Sequence, residues 1–292
     1  MKKILINIKF IIKESFKWTI NFFSILGIIS LFVSFTDLLL CFKNLPLKIL
    51  IATGIILLIW FIMFLIRSLI FFKTKSLKIF ETKNDHYIYI EYGDILSYPK
   101  DIEEKINIVI PVNRCFDTKI DDNLISSNTL HGKIFKKIYE TGEYDENSLN
   151  QALQDNLSQQ KIKPDILKAD DKKSGNLKRY PVGSISELSL LNNCTYFFLG
   201  LSCINSNLKA ETSIHDYEIA IAKLIEYCTS RSQQYPVIIP LIGAGLSKTT
   251  LEERDILEYL VKLLKINKNF INYDVYIIVR SSGKKIISIT NL

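Results

Sequence analysis

Two long apolar segments near the N-terminus dominate the hydrophobic pattern of the chain. Trp18–Thr36 contains no charged residue across 19 positions, and Ile49–Ile66 contains none across 18. A helix needs about 20 apolar residues to cross the roughly 30 Å hydrocarbon core of a bilayer. A secretory signal has a shorter apolar region and is not followed at once by a second long one. The pattern therefore predicts two transmembrane helices, over about residues 18–40 and 48–72.

The flanks of these segments predict how the helices are oriented. A short connection containing Asn44 and Pro46 joins the two segments, which indicates an antiparallel hairpin. Lysine and arginine are concentrated before the first segment and after the second one, at Lys2, Lys3, Lys9, Lys13, Lys17, Arg67, Lys73, Lys75 and Lys78. Basic flanks stay in the cytoplasm. We therefore expect a multi-pass protein of the cell membrane with both termini cytoplasmic. Two buried core helices of a soluble protein remain the alternative.

Beyond the second segment, the pattern changes to that of a soluble α/β domain. Predicted strands cover residues 77–80, 86–92, 105–113, 195–205, 235–242, 273–280 and 284–289, and predicted helices cover about 131–139, 213–230 and 250–265. Strands that alternate with helices favour a mixed or mostly parallel sheet with helices on both faces. The predicted domains are a membrane module over residues 1–74 and a cytoplasmic α/β domain over residues 75–292, in which the polar stretch 140–178 has no assigned role.

Composition narrows the possible functions. Much of the net charge of +7 lies beside the apolar segments, so the sequence does not indicate nucleic-acid binding. The five cysteines are odd in number and form no CxxC pair, and there are only three histidines. This content predicts neither a disulfide framework nor a metal site. We expect no cofactor.

A glycine-containing loop is the first candidate for ligand binding. A predicted strand ends at Pro240–Ile242, and Gly243, Ala244 and Gly245 follow it before a helix that begins near Thr250. Small residues that expose successive backbone N–H groups form an anion-binding nest, and a helix N-terminus nearby adds a favourable dipole. The spacing differs from that of a Walker A loop. A tight turn that binds nothing is an equally good interpretation of this segment alone.

The second candidate combines the end of a strand with the start of a helix. Asn113 ends a buried strand, where its side chain could hydrogen-bond a sugar hydroxyl, or simply cap its own loop. Leu130, His131 and Gly132 open a helix whose first N–H groups are free to bind an anion. For His131, a solvent-facing or capping position is favoured over catalysis. Asp94 follows another strand and could accept a bond from an exocyclic amine or cap its own turn.

Taken together, these sequence segments resemble the macro domain family, which binds ADP-ribose. Gly93-Asp94-Ile95 matches its Gly-Asp-Ile, Asn113 matches its strand-ending asparagine, and Thr129–Ile134 matches its first phosphate loop. The resemblance implies a three-layer α/β/α mixed sheet, with the adenine at Asp94 and Ile95, the distal ribose at Asn113 and the diphosphate between two loops. The ligand-binding residues that it implies are Asp94, Ile95, Asn113, Leu130, His131, Gly132, Lys133, Leu241, Ile242, Gly243, Ala244, Gly245, Leu246 and Ser247.

Over the whole chain, the sequence resembles the membrane effectors of Thoeris-type bacterial anti-phage systems. The elements VNRCFDT, SNTLHGKIFKKIY, RYPVGSISEL and IPLIGAGLSKTTLEE follow two membrane segments in the family's order. The resemblance implies that a partner TIR-domain enzyme makes an ADP-ribose-derived signal, such as a histidine conjugate. Binding of that signal would drive homo-oligomerisation and membrane damage.

Two departures from the macro domain pattern bear on catalysis. Ser126, Ser127 and Asn128 replace the glycines before the first phosphate loop, and Ser247 replaces an aromatic residue in the second. With no evident acid–base pair, we expect a sensor without enzymatic activity. A membrane-tethered ADP-ribosyl hydrolase and a membrane-anchored protein-binding scaffold are the alternatives.

Overall fold

The fold is described from a computed structural model of the chain. It describes residues 2–30, 45–100, 103–243, 252–280 and 287–290. These residues form two compact units. The first comprises the described residues up to 75 together with 287–290, and the second comprises the described residues from 76 to 280. The sequence did not predict that the C-terminal residues belong with the N-terminal helices.

The first unit is helical. Its helices are α1 (Lys2–Ile6), α2 (Ile8–Ser30) and α3 (Leu45–Lys73). Contacts between α2 and α3 pair the start of one helix with the end of the other. The rings of Phe10 and Phe71 lie 5.9 Å apart, and the guanidinium of Arg67 lies 3.6 Å from the carboxylate of Glu14. The two helices therefore run antiparallel over their described residues, as predicted for a hairpin.

Among the described residues, one helical segment is long and apolar enough to cross a membrane. It covers Ile49–Lys73, and its apolar window has no residue buried inside the protein. A core helix of a soluble protein would be mostly buried, so the described segment does not fit that alternative. The first predicted span is described as helix only as far as Ser30, and residues 31–44 lie outside the described residues.

A short C-terminal segment packs on the first unit. Asn7 is fully buried, and its side-chain Oδ1 accepts hydrogen bonds from Ser288 Oγ at 2.9 Å, Thr290 Oγ1 at 2.9 Å and the N–H of Ile289 at 3.2 Å. The strand predicted over residues 284–289 is wrong for its described part, because residues 287–290 form no strand. Ile289 of this segment is instead buried in the first unit.

The second unit is built on a mixed sheet. Its strands are β1 (Ser76–Glu81), β2 (Tyr87–Gly93), β3 (Ile106–Asn113), β4 (Asp165–Ile166), β5 (Lys178–Arg179), β6 (Ile185–Ser189), β7 (Cys194–Ile204), β8 (Ala210–Glu211), β9 (Val237–Pro240) and β10 (Val275–Arg280). Among the described residues, eight strands form one sheet in the order β1-β2-β10-β9-β3-β7-β6, with β8 beside β7 and the β4–β5 pair apart. The five central strands, β2, β10, β9, β3 and β7, are parallel, so their carboxyl ends share one edge.

Helices cover both faces of this sheet. They are α4 (Leu130–Thr141), α5 (Glu146–Gln159), α6 (Ile214–Arg231) and α7 (Glu253–Ile266). Successive residues of a strand point to opposite faces. On β7, Phe198 packs against Phe135 of α4, and its neighbour Phe197 packs against Tyr227 of α6. Helices α4 and α6 therefore lie on opposite faces, which confirms the predicted three-layer α/β/α arrangement.

Some elements differ from the predicted ones. The strand β6 was missed because the segment ISELS is short and has few apolar residues. Helix α7 begins at Glu253, later than predicted, and Glu252 occupies its N-cap position without a side-chain cap. A short 3₁₀ helix, Ile95–Ser97, follows β2 and starts immediately after Asp94.

Candidate functional site

A cavity opens at the edge where the parallel strands end. Its volume is about 280 Å³. We call it the strand-end cavity. It is lined by Asp94, Ile95, Pro111, Val112, Asn113, Leu124, Ile125, Ser126, Asn128, Thr129, Leu130, His131, Ser202, Ile204, Ala210, Pro240, Leu241, Gly243, Glu253, Ile278 and Arg280. The carboxyl end of a parallel sheet is where ligands bind in layered α/β domains.

The structure brings half of the predicted ligand-binding residues to this cavity. Those that line it are Asp94, Ile95, Asn113, Leu130, His131, Leu241 and Gly243. Gly132, Lys133 and Ile242 are not among its lining residues. Ala244, Gly245, Leu246 and Ser247 lie outside the described residues. The roles of all these residues as ligand contacts stay predictions.

Asp94 caps the 3₁₀ helix at one side of the cavity. Its carboxylate accepts the N–H of Leu96 at 3.1 Å, and its backbone carbonyl accepts the hydroxyl of Ser97 at 2.6 Å. The capping role left open by the sequence is therefore present. The second oxygen of the Asp94 carboxylate has no partner among the described residues.

Asn113 organises the turn that follows β3. Its side-chain oxygen accepts the N–H of Cys115 at 3.0 Å and the N–H of Asp117 at 3.4 Å. The loop-capping interpretation of Asn113 is confirmed by these bonds. Because Asn113 is 5% exposed and also lines the cavity, the same side chain shapes the floor of the site.

The start of α4 presents fewer free N–H groups than the sequence suggested. Thr129 is the N-cap residue, and its hydroxyl oxygen accepts the N–H of Gly132 at 3.0 Å. Its carbonyl accepts the N–H of Lys133 at 3.0 Å. The described residues provide no acceptor for the N–H groups of Leu130 and His131. These two amides, at the positive end of the α4 dipole, are therefore the ones available to an anion.

His131 is buried, and the expectation that it faces solvent is wrong. Its ring packs edge-on against Phe135, with centroids 4.4 Å apart, and only 8% of the residue is exposed. Burial lowers the pKa of His131 to about 3, and a hydrogen bond to the backbone of Asp117 opposes this shift. The ring atom Nε2 is buried and has no hydrogen-bond partner among the described residues, so both this atom and the backbone N–H of His131 remain for a ligand.

Two glycines at the site have structural reasons to be glycine. A Cβ atom on Gly132 would lie 2.3 Å from the carbonyl oxygen of Ser126, so the backbones of α4 and its preceding loop approach closely here. Gly243 has a φ of 90°, which L residues with a side chain rarely adopt. Gly132 thus supports the cavity wall by close packing.

Sequence reasoning missed two charged groups that line the cavity. Arg280 ends β10, and Glu253 begins α7. Among the described residues, Arg280 is the one permanently charged basic side chain that lines the cavity. Its position at the carboxyl end of the predicted strand 273–280 could have identified it, because ligands bind at that edge.

Comparison with known proteins assigns this domain to a family. The profile described as "Thoeris protein ThsA, Macro domain" matches residues 88–280, which contain the lining residues of the cavity. The chain belongs to the ThsA macro domain family. The Thoeris protein ThsA of Bacillus amyloliquefaciens (strain Y2) is 25% identical over 220 residues, covering 75% of this chain and 67% of that protein. Family membership confirms the predicted macro domain and its Thoeris resemblance.

Solved structures similar to this ThsA-family chain include two macrodomain structures from Oceanobacillus iheyensis. A mutant form has a TM-score of 0.43 at 12% identity, covering 70% of this chain and 84% of that one. The form described as bound to ADP has a TM-score of 0.39 at 13% identity, covering 72% and 90%.

Proposed function

We propose that this protein is the effector of a Thoeris-type anti-phage system and that its macro domain senses an ADP-ribose-derived nucleotide. The signal would come from a partner TIR-domain enzyme, and a histidine conjugate of ADP-ribose is the leading candidate. On binding, the protein would oligomerise and damage the membrane that its helices occupy. The observation that carries the proposal is the strand-end cavity inside the family-matched region.

The groups around the cavity suit a nucleotide diphosphate. The N–H groups of Leu130 and His131 at the start of α4 can donate to phosphate oxygens. Arg280 adds a guanidinium, which pairs well with phosphate. Asp94 offers a carboxylate oxygen to an exocyclic amine. Apolar residues such as Ile95 and Ile278 give the base a surface to pack against.

Binding has to favour one state of the protein if it is to act as a signal. A ligand shifts an equilibrium only by the difference between its affinities for the two states. To change the assembled fraction from about 1% to about 99%, the binding free energies for the two states must differ by roughly 5.5 kcal/mol. Several protomers that each bind one nucleotide can share this requirement. Helices α2 and α3 of neighbouring protomers would then cluster in the bilayer.

His131 and Asp94, the titratable cavity residues that the sequence predicted as ligand contacts, favour binding over catalysis. A general acid or base must reach the reacting atom and have a pKa near the working pH. The His131 ring packs toward Phe135, and its pKa of about 3 keeps it neutral. Asp94 already holds the N–H of Leu96. We therefore propose a sensor without turnover, and hydrolysis of ADP-ribosylated protein by the purified chain would contradict this part of the proposal.

A ligand titration with charge-reversed variants tests the cavity. We expect ADP-ribose or its histidine conjugate to bind the detergent-purified full chain in calorimetry and to raise its thermal stability. Arg280→Glu should weaken binding by about tenfold or more, because it reverses a charge that lines the cavity. Lys136→Glu is the matched control, since Lys136 is exposed on α4 and does not line the cavity. Failure of every ADP-ribose-type ligand to bind the parent chain would overturn the proposal.

The membrane part of the proposal has its own test. Cell membranes that contain the chain should release it into detergent but retain it in carbonate or high salt, as expected for helices that span the bilayer. Tags at both termini should be accessible only from the cytoplasm. Release by carbonate would contradict the spanning helices and leave the nucleotide site unaffected.

A further inference from the structure

A fully buried lysine lies in the polar segment between α5 and β6. The side chain of Lys172 is 0% exposed. Lysine is almost never buried completely unless it is paired, because its charge is costly to remove from water. Here the Nζ atom donates to Asp117 Oδ2 at 2.6 Å and to the carbonyl of Asn176 at 2.8 Å. Lys172 does not line the strand-end cavity.

The partner of this lysine belongs to the turn that carries Asn113. Asp117 Oδ1 accepts the N–H of Asn176 at 2.6 Å, so its carboxylate is held by two groups of the polar segment. The Asn176 side chain donates to the carbonyls of Cys115 at 3.1 Å and Phe116 at 3.2 Å. The turn after β3 is therefore held between the side chain of Asn113 on one side and residues 172–176 on the other.

This turn needs support from outside. Phe116 has a φ of 53°, a conformation that costs free energy for a large side chain and persists only where its surroundings impose it. On the opposite side, a Cβ atom at Gly175 would lie 2.3 Å from Asp117 Oδ1. Only a glycine lets the backbone of the polar segment approach the carboxylate this closely. The segment and the turn fit one another tightly.

The same turn also contacts the start of α4. His131 hydrogen-bonds to the backbone of Asp117. Asp117 thus connects Asn113, whose side-chain oxygen accepts its N–H, with His131, and both of these residues line the cavity. Any displacement of Asp117 would move the floor of the cavity and the first amides of α4 together.

A buried ion pair is a weak source of stability, because the desolvation of two charges offsets their attraction. In some proteins such a pair instead fixes one geometry of the surrounding residues. We propose that Lys172 and Asp117 are positioning residues that hold Asn113 and the start of α4 in the geometry that binds the nucleotide. In this view, residues 172–176 hold the turn after β3 in place. The identity of the bound ligand rests on the proposed function.

The test uses the full chain and compares neutralising variants of equal chemistry. Lys172→Met removes the buried ammonium, and Lys173→Met removes an exposed one from the neighbouring position. We expect Lys172→Met to weaken binding of ADP-ribose or its histidine conjugate by about tenfold, the loss expected from one misaligned hydrogen bond of the site. Lys173→Met should bind like the parent chain.

A stability-matched control separates positioning from general damage. Leu224→Ala creates a cavity under α6, where the leucine is fully buried and does not line the site. Titrations are made at a temperature at which all variants are folded. If Lys172→Met binds as tightly as Leu224→Ala and the parent, the positioning role is refuted.

Hydrogen exchange without ligand distinguishes this inference from the proposed function. We expect faster exchange of residues 113–117 and of the start of α4 in Lys172→Met, and unchanged exchange there in Lys173→Met. If no nucleotide binds the parent chain while this exchange pattern appears, the proposed function fails and the positioning pair stands. If a nucleotide binds the parent and the exchange is unchanged by Lys172→Met, the positioning pair fails alone.

Discussion

At the scale of single residues, the site depends on groups that the core holds in unusual states. His131 is neutral and packed on Phe135, although it stands at the start of a helix beside a cavity. Gly132 next to it permits a backbone approach that no other residue would allow. Two positions of one loop motif therefore serve packing, while the neighbouring backbone amides of Leu130 and His131 face the ligand site.

The burial of His131 makes the stability of the protein depend on pH. Its folded-state pKa of about 3 lies below the value of 6.5 expected when unfolded, so the unfolded chain takes up a proton first. The contribution of His131 to the free energy of unfolding does not change with pH above about pH 7. As the pH falls from 6.5 toward 3, this contribution destabilises the folded protein. At pH 5 the free energy of unfolding should be lower by about 2 kcal/mol from this group alone.

Denaturant unfolding of His131→Gln between pH 7.5 and pH 5 measures this contribution. The variant should lose most of that pH dependence, whereas His215→Gln, at an exposed position on α6, controls for the loss of a histidine. An identical pH profile in the parent and in His131→Gln would contradict the buried neutral ring.

Gly132→Ala tests the close approach at the same loop. The added Cβ would meet the carbonyl oxygen of Ser126 at 2.3 Å, and a backbone atom cannot move aside easily. We expect a loss of about 1 to 3 kcal/mol in the free energy of unfolding, as for other overpacked sites. In Gly93→Ala the nearest atom is Glu91 Oε1 at 3.3 Å, so this control should be milder. Equal stability of the two variants would argue against the tight packing.

At the scale of secondary-structure elements, α4 connects two sides of the cavity. Its N-terminus supplies the free amides, and Lys137, about two turns after Leu130, holds the 3₁₀ helix that follows Asp94. Lys137 Nζ donates to the carbonyls of Leu96 at 3.1 Å and Tyr98 at 3.0 Å. Glu91, 4% exposed on β2, holds the other end of this loop through Lys100, with 2.5 Å between Nζ and Oε1.

Lys137→Met should loosen the loop that presents Asp94 and Ile95. It removes two hydrogen bonds from a charged donor, each contributing on the order of 1 kcal/mol or more, and leaves two carbonyls without that partner. We expect faster hydrogen exchange at residues 94–98 and weaker nucleotide binding. Lys136→Met, at the exposed neighbouring position of α4, should change neither quantity. Unaltered exchange in Lys137→Met would show that the loop is held by other contacts.

At the scale of the whole molecule, the chain enters and leaves the macro domain at the edge that carries the cavity. Ser76 begins β1 opposite Glu91, close to the end of β2, and Arg280 ends β10 opposite Gly93. Helix α3 ends at Lys73, three residues before Ser76, where β1 begins.

The C-terminal connection ends in a specific contact, which can be tested. Asn7→Ala removes three hydrogen bonds to Ser288, Ile289 and Thr290. We expect the C-terminus to become sensitive to proteolysis and the defence response to weaken, while nucleotide binding stays at the parent level. Asn21→Ala, at an exposed position of α2, is the control. A protected C-terminus in Asn7→Ala would rule out this contact as the anchor.

The sequence by itself determined the elements and their order. Apolar runs and strand periodicity are local properties, so β2, β3, β7, β9 and β10 were found where apolar residues cluster, and the family resemblance followed from short motifs in sequence. Asp94, Asn113 and Gly243 were correctly brought to one edge because parallel strands align their carboxyl ends. The short and polar β6 gave no such local signal.

Only the tertiary structure decided which atoms of those motifs remain available. The N–H groups of Gly132 and Lys133 bond to Thr129, a matter of cap geometry that spacing does not reveal. The burial of His131 depends on Phe135 and the sheet beneath it, and the burial of Lys172 depends on Asp117, 55 residues away. Desolvation and hydrogen-bond competition arise from the neighbours of a group in space, and for these residues the neighbours are brought together only when the sheet and its helices pack.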